Sequence, residues 1–90
     1  PFIKKIYMME TLSETEFAPN IKKEGFIPNT FVDISKYIEK KIKIMKVYKG
    51  EINKHPFPRS ERSIRALATF RGSTSRCEFA ESFILLKEIL

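Results

Sequence analysis

Ile34, Ile38, Ile42, Met45, Tyr48 and Ile52 recur at steps of three and four. An α-helix brings residues so spaced back to one face, whereas a strand would scatter them over two. The spacing predicts an amphipathic helix over residues 36 to about 50, with its lysines pointing outward. Ser35 stands just ahead of it as an N-cap, its hydroxyl able to accept a bond from an orphan helix N–H. Glu39 in the first turns favours the helix dipole. Gly50 marks the end or a fray point.

The other segments are shorter. Residues 2 to 10, FIKKIYMME, mix apolar and β-favouring residues and predict a strand. The following stretch, TLSETEFAPNIKKEGFIPN, carries two prolines, a glycine and two asparagines, and reads as a long loop. TFVDI follows as a second short strand. In HPFP each proline pushes the residue before it toward extended geometry, so His55 and Phe57 sit in a stiff spacer. Ser60 followed by Glu61 starts a second helix, with Ile64, Leu67, Ala68 and Phe70 or Arg71 forming its apolar side. Gly72 and the Ser/Thr cluster after it are expected to end or weaken that helix. The tail, CEFAESFILLKEIL, returns to the core either as an extended segment or as a short helix, and its period does not separate the two. Two helices with two or three strands in this order do not close a sheet, which points to a missing half.

Composition narrows the function classes. The chain has 90 residues, 42% of them hydrophobic, with eight Phe and no Trp. That is one small domain at most, and too apolar for a disordered chain. A single cysteine, Cys77, excludes an internal disulfide and a cysteine-built zinc cage and fits a reducing compartment. No apolar run approaches the roughly 20 residues needed to span a bilayer, so no membrane association is expected and a cytoplasmic location is. The first residue is Pro1 rather than Met, as in a processed or truncated protein. The net charge of +6 suits an anionic partner, but it is also what a lysine-rich solvated surface produces.

Three stretches together resemble the C-terminal third of the zinc-dependent N-acetylglucosaminyl deacetylases, the PIG-L/LmbE family. METLSETEFAPN resembles a strand and post-strand loop of that family. FIPNTFVDISKYIEKKIKIMKVYKGE resembles its PN-x-FVDIS strand followed by a helix. HPFPRSERSIRALATFRGSTSRCEFAESF resembles its closing HP-x-PRS, I-x-ALA-x-x-RG and YAE-x-F motifs. The resemblance spans roughly residues 5 to 83, with the motifs in the family's order. It implies an α/β fold: the C-terminal part of a Rossmann-like deacetylase domain, with an N-terminal catalytic part outside this chain. It also implies zinc in the parent enzyme, held by ligands outside these residues, with a metal-activated water attacking an acetyl carbonyl of an amino sugar. One histidine, His55, cannot build such a metal site, so no catalytic residue and no cofactor are expected here.

The expected substrate-binding residues are Arg71, Arg59, His55, Glu10, Ser13 and Glu14. Arg59 and Arg71 offer rigidly spaced donors to sugar, carboxylate or phosphate oxygens. Arg62 and Arg65, on the same helix, are expected to face solvent. Glu10, Ser13, Glu14 and Thr15 lie just past the first strand, where open α/β sheets place ligands; the plain alternative is a polar surface loop. His55 could bond a sugar hydroxyl, or be only a loop histidine before a proline. Two positions depart from the family: Phe79 replaces a frequent tyrosine, and Arg76 replaces a frequent glycine. Glu81 matches the family and is expected to accept from a backbone N–H or from Arg71; Phe83 is expected in the core.

The expected partners are the amino-sugar substrate, the N-terminal part of the same domain, and a second copy in a homo-oligomer. Readings from other classes are a basic module that binds nucleic acid or an acidic partner, and a non-catalytic oligomerisation piece. No aromatic-rich basic motif or recognition-helix signature supports nucleic acid.

Overall fold

The structure, a computed structural model, describes residues 3–11, 26–48 and 60–90. Five elements follow in chain order: β1 (Lys5–Met9), β2 (Thr30–Asp33), α1 (Ile38–Val47), α2 (Glu61–Ser75) and β3 (Ala80–Glu88). Together they make a small mixed α/β unit with a three-stranded sheet in the order β1-β3-β2, both pairs antiparallel.

The tail closes the sheet. Its Ala80–Glu88 segment lies between the two earlier strands and pairs with both, Met9 opposite Phe83 and Val32 opposite Glu81. The order of elements therefore does form a sheet, contrary to the sequence expectation, because the last segment is its central strand. A central strand is hydrogen-bonded along both edges, and that outweighs the weak local preference of a short apolar run. The register slips once, between Ile6 and Tyr7. Tyr7 meets Phe83 edge to face with centroids 5.8 Å apart, so Phe83 is half-buried against β1.

α1 is shorter than expected and starts later. Its N-cap is Tyr37, with no side-chain cap. Ser35 instead closes a turn: its N–H and hydroxyl both donate to Asp33 Oδ1, at 2.9 and 2.6 Å, and its Oγ accepts the Phe79 N–H at 3.2 Å. Ser35 thus ties the end of β2 to the start of β3, a partner 44 residues away that no local pattern reveals. Ile34, Ile38 and Ile42 are buried as the period demands. Tyr48, at the C-cap, is 59% exposed, so the stripe ends one turn early. Gly50, Ile52 and the HPFP spacer lie outside the described residues.

α2 begins where Ser60 predicts. The Ser60 side chain is buried and accepts the Ser63 N–H at 3.1 Å. The helix does not stop at Gly72 but runs on to Ser75. Thr69, Ser73, Thr74 and Ser75 keep helical geometry by donating their hydroxyls to carbonyls four residues back. Gly72 is buried because the backbone leading into β3 lies on it; an added Cβ would come within 2.6 Å of the Cys77 and Glu78 oxygens. The helix ends in a Schellman turn, Cys77 N–H to Gly72 O at 2.9 Å and Arg76 N–H to Ser73 O at 3.4 Å, with Arg76 left-handed at φ 61°.

α2 packs on β3 and β2, and α1 leans on α2. The core is small: Ile34, Ile38 and Ala68, with Phe79 packed against it. Arg65 does not simply face solvent. Its guanidinium bonds both Glu39 oxygens at 2.7 Å and Glu61 at 3.0 Å, joining the two helices. Lys46 adds a bridge to Glu61 at 3.0 Å. Phe70, expected on the apolar side, is 60% exposed. No helix among the described residues is long and apolar enough to cross a membrane.

Candidate functional site

The sequence singles out Glu10 and Arg71 separately, 61 residues apart. The fold brings them together. Glu10 follows the last residue of β1, and Arg71 sits in the last turns of α2, where that helix crosses the sheet. Arg71 donates from Nε to Glu10 Oε1 at 2.9 Å and from Nη2 to Glu10 Oε2 at 2.7 Å, a two-pronged pair. Both side chains are largely buried, 13% and 12% exposed. Ser82 of β3, itself buried, donates its hydroxyl to Glu10 Oε1 at 2.9 Å. The three elements meet on one carboxylate.

This geometry settles each group's freedom. Glu10 accepts three bonds within the protein, so its carboxylate is an anchor and not a free base. Arg71 is held flat and oriented by that anchor, while its Nη1 is not engaged by Glu10. A guanidinium pre-oriented in this way can present a fixed donor to an oxygen at little further cost in side-chain entropy. Its plane also lies near Phe70, Cζ 5.0 Å from the ring centroid.

Glu10 and Arg71 line a pocket of about 370 Å³. Its walls are mostly apolar, with Met9, Met45, Ile64, Leu67 and Phe83 contributing. Met9 and Phe83 face each other across β1 and β3, which fixes them on one side of the sheet. Glu81 and Lys41 close another edge, paired at 2.7 Å. Glu81 therefore binds Lys41 of α1 and not Arg71, contrary to the sequence expectation: Arg71 is already held by Glu10. Apolar walls with a few convergent polar groups are the usual make-up of a small-molecule pocket.

Ser82 was not visible as a site residue. Its only sequence signal is a small polar residue inside an apolar strand, which marks a buried hydroxyl needing a partner. His55, Arg59, Ser13, Glu14 and Thr15 lie outside the described residues.

Among the described residues no group of three His, Cys, Asp or Glu side chains could hold a metal ion. The pocket carboxylates do not supply such a set either. Glu10 is taken by Arg71 and Ser82, and Glu81 by Lys41. The described residues do not fit a zinc centre. No protein-family model, curated protein or solved structure matches this chain.

Proposed function

We propose that these 90 residues are the distal part of a metal-dependent N-deacetylase acting on an amino sugar or its conjugate, and that the pocket beside Arg71 forms part of its substrate wall. The observation that carries this reading is the buried Arg71 fork, clamped by Glu10 and Ser82 at the edge of a 370 Å³ pocket. The three motifs over residues 5 to 83 support it, since the arginine–glycine pair at 71–72 stands where the resembled family carries one.

In this reading the sheet of β1, β3 and β2 is the antiparallel margin of a larger Rossmann-like sheet, an arrangement that doubly wound folds tolerate. The metal would polarise the acetyl carbonyl and activate water, and its ligands would lie outside this chain. What this chain contributes is binding. Arg71 holds a sugar or acyl oxygen by an oriented N–H, Glu10 and Ser82 keep the guanidinium from swinging away, and the apolar walls exclude water.

The test uses the complete encoded protein, with release of free amine from N-acetylglucosaminides as the readout. Substitution Arg71→Lys should lower kcat/KM about ten- to hundredfold, because an ammonium cannot reproduce the fork. The assay is run well below the melting temperature of both proteins, so that unfolding does not imitate a kinetic loss. Absence of amine release from every N-acetylated sugar tried would refute the deacetylase reading. Normal kinetics in Arg71→Lys would remove Arg71 from the substrate site.

A further inference from the structure

The outer flank of α1 combines two features that the substrate pocket does not use. Ile44 and Val47 of the helix and its cap residues Tyr37 and Tyr48 are 48%, 77%, 60% and 59% exposed, a large apolar surface for one short helix and its caps. Beside them runs a row of cations. Lys36, Lys40 and Lys43 are spaced four and three apart, on one side of the helix and its lead-in turn, and all are exposed. Lys41 and Lys46 are engaged by Glu81 and Glu61, and Lys36 acts at longer range on the Asp33 carboxylate, whereas Lys40 and Lys43 form no salt bridge to a described residue.

The apolar flank is also concave. A recess of about 240 Å³ opens between Ile34, Tyr37, Ile44 and Met45, with Lys40 on its rim. Its one carboxylate, Glu81, is neutralised by Lys41 at 2.7 Å. The recess therefore offers an apolar hollow under a net positive edge.

We infer that this flank docks an acidic peptide segment that carries an apolar anchor residue, the anchor filling the recess and the acids meeting Lys36, Lys40 and Lys43. Charge complementarity chooses the occupant. A second copy of this chain, paired through the same face about a two-fold axis, would set lysine row against lysine row. A membrane surface would meet the lysines but has no side chain to fill a hollow. A short acidic segment with one large apolar residue satisfies both features, as in other recognition of acidic motifs by basic clusters. The inference does not rest on the deacetylase reading: the recess shares Met45 and the Lys41–Glu81 pair with the larger pocket, but the docking argument uses neither Arg71 nor Glu10.

The experiment titrates the complete encoded protein into a fluorescein-labelled peptide, acetyl-Glu-Glu-Asp-Phe-Leu-Glu-Glu-Asp-amide, and follows anisotropy. Saturable binding that weakens with added salt is expected. The triple variant Lys36→Glu, Lys40→Glu, Lys43→Glu should bind at least about tenfold more weakly, the combined loss of three exposed charge pairs. Substitution Ile44→Ser should weaken binding by a similar factor, and so should replacing the peptide's Phe-Leu by Gly-Ser. Thermal melts establish that the variants stay folded; should the triple variant melt early, Lys40→Ser alone must still weaken binding about twofold or more. The inference is overturned if no saturable binding occurs, or if the lysine and Ile44 variants bind like the parent. It is equally overturned if the protein binds phosphatidylserine-containing vesicles and not the peptide.

Discussion

Replacing Arg76 by glycine should leave the chain more stable than replacing it by alanine. Arg76 is the only described non-glycine residue with positive φ, at φ 61° and ψ 39°. In the left-handed region an L side chain sets its Cβ against the following carbonyl, which costs about 1–2 kcal/mol. Glycine has no Cβ and is free of that cost, but it loses about 0.5–1 kcal/mol more backbone entropy on folding. The difference leaves a net gain of about 0.5–1 kcal/mol. Measured against an uncharged L residue at this position, that corresponds to a Tm higher by about 2–8 °C for a chain of this size. The side chain complicates the comparison, because a cation at a helix C-terminus is itself favourable by about 0.3–1 kcal/mol. Substitution Arg76→Ala separates the two contributions: it removes the charge but keeps the Cβ. Urea denaturation and thermal melts of the parent, the glycine variant and the alanine variant supply the numbers. Arg76→Gly should exceed Arg76→Ala by about 0.5–1 kcal/mol, with Arg76→Ala equal to or slightly below the parent. Equal stability of the glycine and alanine variants would refute the strain argument, whatever their level relative to the parent.

Gly72→Ala should destabilise by about 1–3 kcal/mol, since its Cβ meets backbone oxygens at 2.6 Å that cannot yield as a flexible side chain would; a lowered Tm checks this. Arg71→Ala should cost about 3 kcal/mol in urea denaturation, because it leaves the largely buried Glu10 carboxylate with Ser82 as its only described partner. The carboxyls of Asp33, Glu39 and Glu61 are all held below their ordinary values of 3.8 and 4.5. Ser35 lowers Asp33 by hydrogen bonding, Arg65 lowers Glu39, and Lys46 followed by Arg65 lowers Glu61. A depressed folded pKa means stability that is present above the unfolded value and lost as pH falls through the folded one. The denaturation midpoint should therefore hold steady down to about pH 5 and fall below it, with a shallower fall in Arg65→Ala; a pH series of denaturation curves for both proteins checks this.

Much of the helical structure was legible in the sequence because its causes are local. The isoleucine period placed the buried face of α1, and Ser60 marked the start of α2 through a bond to Ser63 three residues on. The same kind of reading failed at Ser35, an equally good cap by sequence. There the deciding partner, Phe79, comes from the far end of the chain. It failed again at Gly72, where a helix continues because β3's lead-in packs against the bare Cα. The site followed the same division. Sequence alone could nominate Glu10 and Arg71 by residue type and place in the chain, but each from a separate argument. Only the tertiary structure joined them, since a carboxylate after β1 and a guanidinium at the end of α2 become neighbours once β3 inserts beside β1 and draws α2 across the sheet. Periodicity and capping act over a few residues and are written in the local order of side chains. Strand insertion and buried ion pairing depend on closing loops of tens of residues, and that closure is decided by the packing of the whole.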